Sequence, residues 1–216
     1  MNVFNKVTLA SLKQNRTRTV VTIIGIMLSA AMICASTTFV ASMQNFVLRY
    51  TIYKTGDWHG AVYDAAYKDY EDIGGSGKVA SATYAQTLGY ARINSANERK
   101  PYLYVLGGDA TSGYFETMPV HLTAGELPKS SSEIILPEHL ATNGKVSYKI
   151  GDTVTFDVGD RILDGKRLGQ IDPFFTYDSE IQAEVKNDEK LENTVARTYT
   201  VVGMYERPGF ENTDPP

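Results

Sequence analysis

A chain of 216 residues, 43% hydrophobic and 21% charged, has the composition of a folded protein rather than a disordered one. The formal net charge of −4 is unevenly placed: residues 1–43 hold four Lys and Arg and no acid, while the remainder carries −8. So acidic a main part argues against a nucleic-acid partner, and a single cysteine, Cys34, rules out an internal disulfide framework.

Residues 1–15 read as a cytoplasmic amphipathic segment. Val3, Phe4, Val7, Ala10 and Leu12 fall mostly on one helical side, and Lys6 and Lys13 can reach lipid headgroups. The competing reading is a disordered basic tail. The chain then turns at Asn15-Arg16 and enters a transmembrane helix over residues 16–43. No charge occurs from Thr19 to Leu48, and at about 1.5 Å per residue positions 20–40 span roughly the 30 Å of bilayer hydrocarbon. Lys6, Lys13, Arg16 and Arg18 precede the apolar run, so the N-terminus belongs in the cytoplasm and everything beyond about Gln44 outside it. A cleaved signal peptide fits poorly. The basic lead is long, the apolar core exceeds the usual length, and neither Phe39-Val40-Ala41 nor Ile33-Cys34-Ala35 is a good cleavage site. Lipidation at Cys34 lacks the small residue expected just before it. Gly25, Ser29, Ala30 and Ala31 give one flank small side chains, which let a second helix approach.

Residues 44–56 continue as a helical stalk: Phe46, Tyr50 and Tyr53 recur at i, i+4 and i+7, and Gly56 ends the run. Residues 57–216 read as one α+β extracytoplasmic domain, large enough to bury a core without staples. Strands are expected over 58–63, 82–93, 101–106, 133–136, 153–158 and 198–205, each rich in β-branched or aromatic residues and bounded by turn formers. Short helices are expected over 65–73, 113–118 and 137–142, with Pro137 suiting a first helical turn. The charged, weakly periodic stretch 160–193 reads as an inserted lobe or hairpin. Fourteen tyrosines lie outside the membrane run and are expected mainly in the core.

Chemistry-bearing motifs are missing, and no catalytic, cofactor-binding or metal residue is nominated. Gly74-Gly75-Ser76-Gly77-Lys78 suggests a phosphate loop, but Asp72 stands where the first Gly is needed and Val79 where Ser or Thr is needed. A flexible turn is the reading kept. His59, His121 and His139 are widely separated, without zinc-site spacing. Asp157, Asp160 and Asp164 lack the alternation and central Gly of a calcium loop. An anchored cysteine transpeptidase would need a cysteine in the outer domain. The chain is therefore expected not to be an enzyme and to carry no cofactor.

The opening NKVTLASLKQNRTRTVVTIIGIMLSAAMI resembles the start of FtsX-like, MacB-type ABC transporter permeases, through Asn15-Arg16-Thr17-Arg18-Thr19 and Val21-Thr22-Ile23-Ile24-Gly25-Ile26. Glu133-Ile134-Ile135-Leu136 with residues 137–141, then Tyr148-Lys149-Ile150-Gly151-Asp152-Thr153-Val154-Thr155-Phe156, is similar to a strand, short helix and Gly-Asp passage of that family's outer core domain. Tyr199-Thr200-Val201-Val202-Gly203-Met204-Tyr205-Glu206 is similar to its closing strand. Gly151-Asp152 suits a tight turn, and Gly203 a bulge or close backbone approach.

The resemblance implies a plasma-membrane permease subunit that partners a separate cytoplasmic ABC ATPase and a second permease copy or homologous permease. In such proteins ATPase motion reaches the outer domain, for export or as a mechanical relay. Which cargo this chain serves is not legible. The family's chain returns to the membrane after this domain, whereas this sequence stops at Asp214-Pro215-Pro216. The expectation is therefore the N-terminal part of such a permease. The rival is a stand-alone, single-pass, membrane-anchored binding or sensor domain without an ATPase. A third reading, an anchored hydrolase, would need acids or nucleophiles converging in a pocket.

Overall fold

The computed structural model describes residues 3–63 and 65–209, and the chain divides into two compact units, Met1–Thr51 and Ile52–Pro216. Asp214-Pro215-Pro216 lies outside the described residues.

In the first unit, helix α1 (Val3–Gln14) is followed after the single residue Asn15 by helix α2 (Arg16–Thr55). The step between them is hydrogen-bonded: the Thr19 hydroxyl reaches Asn15 O at 3.1 Å and Leu12 O at 3.2 Å, and Arg16 Nε reaches Lys13 O at 3.3 Å. Phe4, Val7, Leu9 and Leu12 of α1 are all exposed. The 40 residues of α2 span about 60 Å, twice the hydrocarbon thickness. None is buried against protein. Its hydroxyls are returned to the helix four residues back: Thr22 to Arg18 O, Ser29 to Gly25 O, Ser36 to Met32 O and Thr37 to Ile33 O, at 2.8–3.0 Å. That removes the cost of a bare hydroxyl in hydrocarbon.

The second unit takes in the last turn of α2 and the α+β domain. Its remaining helices are short: α3 (Tyr67–Gly75), a 3-10 turn (Ala110–Ser112), α4 (Tyr114–Thr117) and α5 (His139–Asn143). The main sheet runs β2 (Tyr102–Gly108), β1 (Ala85–Arg92), β5 (Thr153–Leu163), β9 (Lys190–Tyr205), β3 (Leu122–Gly125). Strand β4 (Glu133–Pro137) pairs β9 in parallel, and β6 (Lys166–Arg167) pairs β5. A separate hairpin joins β7 (Phe175–Asp178) to β8 (Ala183–Lys186).

Alternation along the strands builds a core on each face of this sheet. Tyr90 and Ala91 are neighbours on β1 and therefore point to opposite sides. Ala91 packs with Val105, Phe156, Val158 and Tyr199, and Tyr90 with Tyr102 and Phe174. Where β1 crosses β5 the backbones nearly touch. Gly89 has φ +128°, and a Cβ there would lie 2.5 Å from Gly159 O, so only glycine fits. The register of β1 against β2 shifts at the same place.

Expected and observed elements differ in instructive ways. Residues 58–63 form no strand: Trp58 folds back, its indole N–H donating to Thr55 O at 2.6 Å, while Val62 and Tyr63 stand exposed. Pro137 closes β4 opposite Tyr205 instead of opening a helix. Strands β5 and β9 extend well beyond 153–158 and 198–205, because their outer halves pair with each other, Asp160 with Glu192 and Ile162 with Lys190. Two sequence-level glycine readings match the backbone. Gly151 turns with φ +94° while the Lys149 amide donates to the Asp152 carboxylate. At Gly203 a Cβ would lie 2.6 Å from Glu126 O.

Candidate functional site

The chain arrives in the domain through the last turn of α2, and that turn is clamped. Gly56, with φ +97°, ends the helix, its N–H donating to Ile52 O at 2.9 Å. A Cβ at Gly56 would sit 2.6 Å from Thr117 O, and the next residue, Asp57, donates its amide to that same oxygen at 2.9 Å. The backbone is thereby fastened to the end of α4.

One turn earlier, Tyr53 is held from three directions. Its ring stacks on the His121 imidazole at 4.1 Å between centroids and 11° between planes. Its hydroxyl donates to Glu206 Oε1 at 2.7 Å, and its carbonyl accepts from His121 Nε2 at 2.9 Å. A carbonyl can only accept, so Nε2 is the protonated ring nitrogen. The Glu206 amide in turn donates to His121 O at 3.0 Å. Glu206 follows β9 and His121 precedes β3, so one aromatic residue of the arriving helix grips both strands at this end of the sheet. The departing chain lies there too: a Cβ on Gly209 would fall 2.5 Å from Lys54 O. Arrival and departure are adjacent.

Just before the other end of β9, Glu189 belongs to a buried ion pair. Arg161 of β5 donates from Nε and Nη2 to the two Glu189 oxygens at 2.7 and 2.8 Å, and both side chains are 0% exposed. Two of the other guanidinium hydrogens reach Gly169 O at 3.2 Å and Asp172 O at 3.0 Å. Tyr90 and Tyr102 place their rings 5.3 and 5.4 Å from the guanidinium carbon. This pillar fastens the segment carrying Leu168 and Phe174 to the sheet. Burial, and then the neighbouring Tyr104, push the Tyr90 phenol up to about 12. Burial, followed by the Glu189 carboxylate, raises Tyr102 as well.

The motifs weighed in the sequence are scattered through this frame. Gly74 and Gly75 lie in the last turn of α3, the Ser76 hydroxyl caps Ile73 O at 2.7 Å, and Gly77 turns with φ +68°. A phosphate loop would need a following helix to open there; here one closes. His59 is exposed on the segment after Trp58, His139 opens α5, and His121 sits in the clamp. Asp160 pairs with Arg167 at 2.6 Å, and Asp164 and Gly165 form the left-handed turn between β5 and β6. Among the described residues no three His, Cys, Asp or Glu side chains converge as a metal site would require. Sequence reasoning singled out Tyr53 as a stalk aromatic and weighed His121 only as a metal ligand. It missed their pairing, since the partners lie 68 and 153 residues apart along the chain.

Among the described residues α2 alone is long and apolar enough to cross a membrane, by length and composition. A family model described as the MacB-like periplasmic core domain matches residues 19–215, most of α2 and the whole described sheet included. The chain belongs to this family. It is thus a membrane-anchored protein with an extracytoplasmic domain of the ABC transporter permease type, a family whose members work in general with an ABC ATPase. No curated protein and no solved structure matches the chain. In this MacB-like core the clamp ties the last turn of α2 to both strands of the β3–β9 pair, and the pillar ties the 168–174 segment to the sheet.

Proposed function

We propose that this chain is the first membrane helix and outer domain of an FtsX/MacB-type permease, carrying motion from a separate cytoplasmic ATPase to the outside, for export or as a mechanical relay. The observation that carries the reading is the clamp. Tyr53 joins the last turn of α2 to Glu206 after β9 and to His121 before β3. A displacement of that turn is delivered to β9, the strand that pairs with β5, β4 and β3. In this reading the N-terminus is cytoplasmic and residues beyond the membrane helix lie outside, which the basic lead supports. ATP hydrolysis belongs to the partner, and this chain is not itself an enzyme.

A row along α2 supports a helical partner in the bilayer. Thr22, Gly25, Ser29, Met32, Ser36, Phe39, Met43, Phe46 and Tyr50 follow one another at alternating three- and four-residue steps. That spacing makes one seam for a packed neighbour, here a helix of a second permease copy or homologous permease. The seam is small-sided first and aromatic later.

Two measurements test this. Affinity purification of the tagged chain from its native membranes should recover an ABC ATPase in near-stoichiometric amount; recovery of the chain with no ATPase would promote the anchored sensor reading. An Asp57→Cys reporter should react with a membrane-impermeant maleimide added outside intact cells, and protection until the cells are opened would reverse the orientation.

A further inference from the structure

Three elements of the outer domain are tied into an open groove that the clamp does not use. The loop after β1 is pinned to the end of α5 by the Ala96 amide donating to Gly144 O at 2.7 Å. The same loop is held in a turn by Asn97 Oδ1, which accepts from the Arg99 amide at 3.1 Å. Arg99 bonds Glu184 of the β7–β8 hairpin and lies 5.3 Å over the Phe175 ring. Between them is a cavity of about 590 Å³, lined by Ala96, Asn97, Glu98, Arg99, Asn143, Lys145 and Phe175. That volume falls within the roughly 300–1,000 Å³ of small-molecule sites.

The polar groups at this groove are unequally committed. Arg99 is neutralised by Glu184, which holds its guanidinium pKa above the usual range and the carboxyl below it. Lys145 and Glu98 have no ion-pair partner among the described residues. Lys145 is also held at φ +56°, the left-handed region in which glycine is the usual occupant after a helix. Gly144 stands one place too early to relieve it. That angle sets where Lys145 stands at the rim of the cavity, with its ammonium uncommitted.

We infer that this groove binds a small zwitterion of the amino-acid class, with its carboxylate on Lys145, its ammonium on Glu98 and its apolar part against Phe175. One free cation, one free anion, two side-chain amides and one aromatic ring make up that complement. This inference does not depend on the ATPase reading: it holds equally for a permease and for an anchored sensor.

The test is calorimetric titration of the full chain in detergent with L-phenylalanine, and with phenethylamine and 3-phenylpropionate, which lack the carboxylate and the ammonium respectively. L-Phenylalanine should bind saturably, and each analogue about tenfold more weakly or worse. Lys145→Gly should cost L-phenylalanine a similar factor and leave phenethylamine unchanged, while Glu98→Gln should spare 3-phenylpropionate. Folding is controlled within the same variant: Lys145→Gly relieves the left-handed strain, so its melting temperature should rise by about 2–4 °C. Absence of saturable binding by the wild-type chain overturns the proposal. So does equal affinity for all three probes, or a Lys145→Gly chain that is folded and binds as before.

Discussion

Removing the Glu189 carboxylate should be among the most damaging single changes available in the outer domain. Arg161 is 0% exposed and, among the described residues, meets one carboxylate, that of Glu189, through bonds of 2.7 and 2.8 Å. In Glu189→Ala the guanidinium keeps two carbonyl acceptors and two aromatic faces but stays charged in a site sealed from water. Breaking a buried pair from one side costs about 3–5 kcal/mol. Against a typical domain stability of about 5–15 kcal/mol, that is about a fifth of the total or more. At about 2–4 °C per kcal/mol for a domain of this size, the melting temperature should fall by on the order of 10 °C. Arg161→Met should cost a comparable amount by stranding the carboxylate. The double variant Arg161→Met with Glu189→Leu should recover most of the loss, because no buried charge remains. The assay is urea unfolding of the full chain in non-ionic detergent, followed by the fluorescence of Trp58, the single tryptophan, and by circular dichroism. Single changes costing under about 1 kcal/mol, or a cycle that closes additively within about 0.5 kcal/mol, would refute the reasoning.

Three further outcomes are expected. Tyr53→Phe removes the hydroxyl that reaches Glu206; the urea midpoint should fall only slightly, because the side chain is exposed, and the same loss should not recur when Glu206→Gln is added. Gly89→Ala places a methyl 2.5 Å from Gly159 O on a backbone with φ +128°, and should cost at least about 2–3 kcal/mol in the same urea assay; a neutral result would mean the crossing of β1 and β5 is looser than drawn. Alkali should destabilise the domain through Tyr90. The folded phenol ionises near 12 and the unfolded one near 10, so its contribution is complete below pH 10 and is lost as pH climbs toward 12. Allowing for solvent screening, that is about 1–2 kcal/mol, and Tyr90→Phe should flatten the fall in urea midpoint over this window; an unchanged slope would assign the loss to other groups.

What the sequence revealed was whatever local chemistry dictates. The uncharged run 19–48 announced α2, Gly151-Asp152 announced its turn, and the β-branched run at Ile134-Ile135 announced β4. What stayed hidden was decided across long separations. The outer half of β9, Lys190 to Ala196, is mostly polar, with Leu191 and Val195 its only large apolar side chains, too few to mark a strand locally; it is a strand because β5 lies beside it in register. Arg161 looked like part of a charged surface lobe, and nothing local says that a glutamate 28 residues on would seal it into the core. Trp58 supplied a strong strand signal and was instead used to cap the helix that precedes it. The clamp is illegible for the same reason, since its three residues come from the end of α2, the lead into β3 and the exit of β9. The groove shows a related limit: Lys145 follows a glycine, and only the backbone angle reveals that the strained position falls on the lysine.

The two ion-bearing arrangements are joined by one strand. β9 runs from Lys190 to Tyr205, and the residues flanking it are Glu189, held by Arg161, and Glu206, held by Tyr53. At about 3.3 Å per residue, sixteen residues reach about 50 Å. A strand paired to neighbours along that length cannot lengthen under load, so a displacement applied at Glu206 is met by the sheet as a whole. At the far end of β9 the pillar is a fixed point, its guanidinium held by four hydrogen bonds and two aromatic rings. The same pillar anchors the segment leading to the β7–β8 hairpin, which forms one wall of the groove through Phe175 and Glu184. The opposite wall, Asn143 and Lys145, lies at the end of α5, whose lead residue Glu138 donates its amide to Tyr205 O at 3.0 Å, so a mechanical input at the clamp and a ligand in the groove would both act on elements tied to β9. Reciprocity then requires that if moving Tyr53 changes affinity in the groove, occupancy of the groove changes the work needed to move Tyr53.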